Sequence, residues 1–523
     1  MRSDGSAAPP PRRPSVEAGH RPQVRVGGPF ALAAAAGASW ALAAPPRGWW
    51  PLLPVGVALL AVALHGHPVR QRLQLGATAG AVLYGSTLPW LLDFAPAGYI
   101  ALVLLETALL AGGAAATARW WTLPAVLVLL EAVQARFPFG GFPLPGLVYS
   151  QPDGPFALAA PLGGALLVLG LSALAGAALA ALVVVSPLRR RLASGVALAA
   201  VTAGPLVIGA AVTTAPAGSL DAAVVQGGGL RGTRAVFTDP DDVTARHLAV
   251  LDTALDPMSG SPDLVVLPEG VVVVDGPIGA TPDSALLGQR ARQLDSALIV
   301  GVVEGEQDGF RNVAVAYNKD GRLVDRYEKE HRVPFGEYIP ARGLISKLTD
   351  ATSLVPKDAI VGEGTALLRL PQADVGVVIS YEIFFADRVR EAVLGGGQML
   401  VVPTNASSYV GDEVPATELA AAQLRAREYG RVVLQAAPTG YSAIVMPDGR
   451  VIARTDLGAA QLLRETVPLR QGLTPYARIG DLPVLALALA VAGLPLGLAR
   501  RARHGTSFSG GRDTEQNRRM PPP

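Results

Sequence analysis

The chain has 523 residues, of which 50% are hydrophobic and 16% charged, and its formal net charge is +2. An average soluble domain carries about 25% charged residues, so a membrane protein with one soluble domain fits better than one large globule, and the arginines of the two tails resemble orientation signals more than a nucleic-acid face. The sequence contains no cysteine, which rules out disulfides, thiolate metal sites and a thiol nucleophile.

In chain order, residues 1–27 are rich in Pro, Arg and Gly and are expected to form a disordered tail. Eight apolar stretches follow, at about 29–45, 49–65, 73–91, 98–117, 121–135, 159–185, 194–213 and 482–499. Several fall at or below the ~17–25 residues a helix needs to cross a bilayer. Arginines precede the first stretch, as in a signal peptide, but further spans follow at once, so it reads as a retained helix. The expected organisation is a membrane domain over 28–215 with seven spans, a soluble segment over 220–470, an eighth span over 480–500 and a polar tail over 501–523.

Charge then orients the chain. With a cytoplasmic N-terminus, the loops after spans two, four and six are cytoplasmic, and they hold Arg70 and Arg72, Arg119, and Arg189-Arg190-Arg191. The opposite loops are poorer in Lys and Arg, as the positive-inside rule requires. Both termini are then expected inside and residues 220–470 outside, on a plasma membrane. Glu106 and Glu131 sit inside apolar stretches, where an acid is a functional candidate by default; for Glu131 a place near an interface with Arg136 is the alternative.

The soluble segment alternates strand and helix signals. Ala222–Gln226, Leu264–Leu267 and Ala297–Val303 are short β-branched runs of the buried-strand kind. Asp239-Pro240 and Thr281-Pro282 each offer an N-cap followed by proline at the first helical position. Lys319-Asp320-Gly321 and Pro447-Asp448-Gly449 each lie between a pair of strand-like runs and predict hairpins. A layered α/β domain is expected.

Three motifs carry chemistry. Leu267-Pro268-Glu269-Gly270 puts an acid at a strand end. Tyr327 to Tyr338 contains Lys329, His331 and the run Val333-Pro334-Phe335-Gly336-Glu337. Val378-Ile379-Ser380-Tyr381-Glu382 closes another strand. Side chains at strand ends in α/β folds converge on one crevice.

That order of Glu, Lys in a Lys-x-His-x-Val-Pro-Phe-Gly-Glu setting, and a strand ending in x-Tyr-Glu resembles the nitrilase superfamily. The second motif resembles apolipoprotein N-acyltransferases in particular. So do Phe137-Pro138-Phe139-Gly140-Gly141-Phe142-Pro143, Tyr149-Ser150-Gln151, Ala160-Pro161-Leu162-Gly163-Gly164, Val225-Gln226-Gly227 and Arg425 to Arg431. The resemblance implies a polytopic membrane domain of about eight helices with an extracytoplasmic αββα nitrilase-like sandwich. It implies transfer of an acyl chain from a phospholipid donor to the amine of a lipoprotein's N-terminal diacylglyceryl-cysteine, with no cofactor. By it, Glu269 is the general base, Lys329 steadies the oxyanion, Glu337 and Glu382 orient the site, and Tyr381 shapes the acyl pocket. The family has cysteine before the Tyr-Glu pair where this chain has Ser380, and commonly an aromatic residue where Val410 stands beside Gly411.

Blander readings stand beside these. Glu269 alone fits a surface ion pair, Glu328-Lys329-Glu330 a solvated face, and His331 a structural hydrogen bond. Ser380 is either the nucleophile or an inert buried serine; in the second case the chain is a non-catalytic relative that binds lipid or lipoprotein or assists an active relative. Residues 338–360 read either as a lid toward lipid or as ordinary packing. No His/Asp/Glu grouping has the spacing of a metal site.

Overall fold

The structure is a computed structural model that describes residues 28–185, 187–232, 235, 237–253, 260–347, 352–353 and 355–507. The expected N-terminal tail lies outside them, as do Leu348 and Leu354 of the expected lid.

The first seven apolar stretches are helices: α1 (Gly28–Ala43), α2 (Leu52–Leu64), α3 (Val69–Thr87), α4 (Pro96–Ala116), α5 (Leu123–Gln134), α6 (Ala160–Val184) and α7 (Leu188–Ala211). By length and composition three helices are able to cross a membrane, over Pro96–Ala116, Pro155–Val184 and Leu188–Ala211. Others are shorter: the 13 residues of α2 reach ~20 Å against a hydrocarbon core of ~30 Å. The boundaries also correct the loop assignments. Pro68 and Pro187 precede α3 and α7 and fix φ for a helix start. Arg70, Arg72 and Arg189 to Arg191 therefore lie in first helical turns rather than in loops.

The helix α6 is broken near its start. Gly163 (φ −152°) and Gly164 (φ 66°) leave helical geometry. Gly164 is required there twice over: the φ is left-handed, and a Cβ would enter the ring of Tyr476.

The α/β segment begins at β1 (Ala215–Gln226), five residues before the expected boundary. It continues with α8 (Pro240–Asp252), β2 (Leu264–Val266), β3 (Val272–Asp275), α9 (Pro282–Leu294), β4 (Ala297–Gly305), β5 (Phe310–Tyr317), β6 (Leu323–Glu328) and α10 (Arg342–Ile345). Then come β7 (Leu367–Arg369), β8 (Asp374–Val377), α11 (Ala386–Leu394), β9 (Met399–Pro403), α12 (Glu413–Tyr429), β10 (Val433–Ala436), β11 (Ala443–Val445), β12 (Val451–Arg454), β13 (Gln461–Gln471), α13 (Pro475–Ile479) and α14 (Leu482–Ser507). The last helix runs into the expected C-terminal tail as far as Ser507; residues beyond it are outside the described set.

The strands make two sheets, ordered β13-β1-β2-β4-β5-β6, with β3 also on β4, and β12-β11-β10-β9-β8-β7. The strand period of two sorts their side chains. Ala222, Val224, Val266, Ile299 and Ala314 share a core with Val375, Val377, Leu400 and Leu434 of the second sheet. Their alternates Ala223, Val225, Val265, Val300 and Val315 pack on Leu251 of α8 and on Leu287 and Ala291 of α9. With α11 and α12 against β8 and β10, the layers run α-β-β-α. Both caps form as expected: Asp239 accepts from Asp241 N at 3.0 Å and Thr281 from Ser284 N at 3.3 Å. Both hairpins form, β5–β6 and β11–β12.

Candidate active site

Strand order brings the three motifs together. Glu269 follows β2, Lys329 follows β6, and Ser380 follows β8. Gly301 of β4 makes room for the first, since a Cβ there would lie 2.5 Å from Glu269 Cα. All three are buried, at 6%, 2% and 6% exposure.

Lys329 is held between two carboxylates. Its Nζ donates to Glu269 Oε1 at 2.8 Å and to Glu337 Oε1 at 2.7 Å. Asn312 Nδ2 donates to the same two carboxylates, at 3.1 Å for Glu337. Glu337 Oε2 also accepts from Val333 N at 2.7 Å. This closes the Val-Pro-Phe-Gly-Glu loop on itself. Burial alone would lower the lysine's pKa, but the two carboxylates outweigh it and hold the ammonium charged. Burial, reinforced by the Glu337 charge, raises Glu269 against the pull of Lys329.

Ser380 is a non-glycine residue at φ 50°, on the tight turn from β8 into a 3-10 turn, Ser380–Phe384. Such a backbone costs about 1–3 kcal/mol and concentrates at functional positions. The serine hydroxyl donates to Glu418 Oε1 at 3.3 Å and lies 3.2 Å from Thr404 Oγ1, which in turn is 2.9 Å from Glu418 Oε1. The Glu418 carboxyl is close enough to Glu269 and Lys329 for both charges to act on it. Burial pushes it up to about 7.

Glu382 is fully buried and faces the chain rather than the cleft. It accepts the Tyr327 hydroxyl at 2.7 Å and the backbone N–H groups of Glu330, His331 and Ile379 at 2.8, 3.0 and 2.7 Å. One carboxylate thus ties the lysine-bearing loop to the turn carrying Ser380. Tyr381 and Phe385 line a cleft of about 180 Å³ with Phe139, Gly141, Arg332 and Tyr338. The Tyr381 hydroxyl donates to Gly141 O at 3.0 Å and that of Tyr338 to Phe139 O at 3.2 Å. Phe139, Gly140 and Gly141 of the Phe-Pro-Phe-Gly-Gly-Phe-Pro loop are therefore a wall of this cleft, which Tyr381, the neighbour of Ser380, also lines. His331 stacks on Phe385 with ring centroids 4.3 Å apart.

The motifs at Ala160–Gly164 and Arg425–Arg431 meet in one joint. The break in α6 frees the N–H of Ala165, which donates to Glu428 Oε1 at 2.7 Å. Glu428 pairs with Arg425 through its other oxygen, and Arg425 Nε donates to Ile383 O at 3.1 Å. Tyr409 packs edge-on against Trp90 and Phe94, at 5.3 and 5.4 Å.

Asn312, Thr404 as a ligand of Ser380, and Glu418 do not stand out in the sequence. Asn312 is one polar residue in a strand, with no motif around it. Glu418 has a faint signal: a lone acid in Thr417-Glu418-Leu419-Ala420-Ala421-Ala422, a run with little else to keep it in water. Among the described residues no grouping of three or more His, Asp or Glu is placed to hold a metal ion.

An α-β-β-α sandwich with a buried Glu–Lys pair and a strained strand-end residue defines the nitrilase-like class. In agreement, the family model described as carbon-nitrogen hydrolase matches residues 221–472. The model described as apolipoprotein N-acyltransferase N-terminal domain matches residues 36–178. An apolipoprotein N-acyltransferase of Azotobacter vinelandii is 32% identical over 514 residues, covering 90% of this chain and 95% of that one. One of Mycolicibacterium smegmatis is 28% identical, covering 89% and 84%. The chain belongs to the apolipoprotein N-acyltransferase family. Among solved structures, Saccharomyces cerevisiae Nit3 matches at 18% identity and a TM-score of 0.37 over 48% of this chain and 91% of that one.

Proposed function

We propose that the chain is a membrane acyltransferase that moves an acyl chain from a phospholipid to the amino group of a lipoprotein's N-terminal diacylglyceryl-cysteine, with Ser380 as the acyl carrier. The observation that carries the reading is the fixed ammonium of Lys329 between Glu269 and Glu337, on a loop that Glu382 ties to the strained Ser380 turn. Two half-reactions share a covalent acyl-serine. In the first, Ser380 Oγ attacks the ester carbonyl of the lipid, Lys329 steadies the charge that develops on the carbonyl oxygen, and the lysophospholipid leaves. In the second, the lipoprotein amine attacks the acyl-serine and Glu269 takes its proton. Glu337 and Glu382 position these groups. Tyr381 and Phe385 offer an apolar wall for the acyl chain. The binding-only alternative is favoured by none of these contacts.

All eight apolar helices belong to the membrane, residues 220–470 lie outside the cytoplasm, and both termini lie inside. The arginines at the starts of α3 and α7 and in the α4–α5 link support this orientation.

The test uses purified full-length protein in phospholipid nanodiscs with a diacylglyceryl-cysteine peptide. The expected result is an acyl ester on Ser380, seen by mass spectrometry, and N-acylated peptide, both lost in Ser380→Ala. A Ser380→Ala variant that acylates at the wild-type rate, or wild type no faster than Glu269→Ala, removes the reading.

A further inference from the structure

We propose that Glu418 is the general base that takes the proton of Ser380, so that the acyl-serine is formed by a Ser–Glu pair beside the Glu269–Lys329 pair. The inference rests on the reading of Ser380 as nucleophile and adds to it the destination of one proton.

A serine hydroxyl needs a dedicated base within hydrogen-bond reach. Glu269 Oε1 is engaged by Lys329 and Asn312, and among the described residues no hydrogen bond joins the Glu269 carboxylate to the Ser380 hydroxyl. The Ser380 hydroxyl donates instead to Glu418 Oε1 at 3.3 Å. Thr404 Oγ1 touches both, at 3.2 and 2.9 Å, and fixes their relation. Glu418 is 4% exposed, and its Oε2 is buried with no hydrogen-bond partner among the described residues. A buried carboxyl oxygen left without a partner is costly, and no structural contact accounts for it. It is free to receive a proton.

The groups facing this carboxyl are Ser380 from the strand-end turn, Thr404 and Tyr409 from the loop after β9, and the charges of Glu269 and Lys329. Burial is the largest influence on it and places its proton affinity near neutrality, where a general base is most effective.

The Ser380 Oγ–H bond breaks as the Oγ–C bond to the ester carbonyl forms, and the proton moves to Glu418. The tetrahedral adduct collapses, the ester C–O bond breaks, and the lysophospholipid alkoxide leaves with the proton from Glu418. The carboxylate is restored, and in the second half-reaction the C–O bond to Ser380 breaks as the proton that Glu269 took from the amine passes to the departing Ser380 oxygen.

The test measures acyl ester on Ser380 in full-length protein in nanodiscs of phosphatidylethanolamine with labelled acyl chains. Glu418→Gln keeps the size and an acceptor oxygen but not the basicity. Acyl-serine formation is expected to fall by about 10²–10⁴-fold, and the wild-type rise in rate through about pH 7 to disappear. In a Ser380→Cys background the same change is expected to cost less than tenfold, because a thiol of pKa ~8.5 needs less help. Activity there also shows that Glu418→Gln folds. Three outcomes overturn the proposal. If Glu418→Gln acylates Ser380 at the wild-type rate, Glu418 is not the base while Ser380 remains the nucleophile. If it slows both backgrounds alike with the pH profile intact, its role is structural. If wild type forms no acyl-serine at all, the nucleophile reading fails and this proposal with it.

Discussion

Lys329 is the single side chain on which the charge balance of the site turns. Its replacement by methionine leaves Glu269 and Glu337 facing each other without a cation, and removing one partner of a buried ion pair costs about 3–5 kcal/mol. Lys329→Met is expected to lower the thermal midpoint in detergent and to abolish acylation; a midpoint indistinguishable from wild type contradicts the buried network. Ser380 makes a different demand. At φ 50° a β-branched residue is an outlier, so Ser380→Thr is expected to lose acyl-ester formation although it keeps a hydroxyl, while Ser380→Cys keeps the turn. Mass spectrometry of wild type and the two variants decides the point; acylation of the Ser380→Thr variant at the wild-type rate counts against strain at this position.

At the scale of elements, the local signals are readable where a residue acts on its own neighbourhood. The caps at Asp239 and Thr281 and the Gly321 and Gly449 hairpins depend on a few adjacent residues, and they form where the sequence puts them. The helices follow from apolar runs alone, but their ends shift wherever a proline starts the helix early, as at Pro68 and Pro187. Long-range partners are not readable. Nothing in β5 singles out Asn312, and no spacing rule joins Glu418 on α12 to Ser380 after β8, because sheet order brings them together. The motifs at Ala160–Gly164 and Arg425–Arg431 are visible as motifs. Only the fold explains them as one joint, through the Glu428 carboxyl and the Ala165 N–H. Gly164→Ala tests that joint. A methyl group there meets the Tyr476 ring in a left-handed backbone, and overpacking costs about 1–3 kcal/mol. The expected outcome is a lower thermal midpoint with the Ser380 site still competent; an unchanged midpoint means the break in α6 does not need glycine.

For the whole molecule, the lack of any cysteine makes the orientation directly measurable. Single cysteines at the exposed positions Gln307, in the β4–β5 link, and Arg119, in the α4–α5 link, report on opposite sides. A membrane-impermeant maleimide is expected to label Gln307→Cys on intact cells and Arg119→Cys only after permeabilisation. Labelling of Arg119→Cys on intact cells contradicts the proposed orientation.

The strands β1 and β13 run side by side in opposite directions, and Ala215, just past α7, is paired with Gln471, just before α13. The sandwich is entered and left through one narrow doorway. A unit whose two ends already touch can be spliced into a bundle between consecutive helices without stretching either partner. Two ready-made folds thus need only one short seam, and the working crevice is assembled where their surfaces meet.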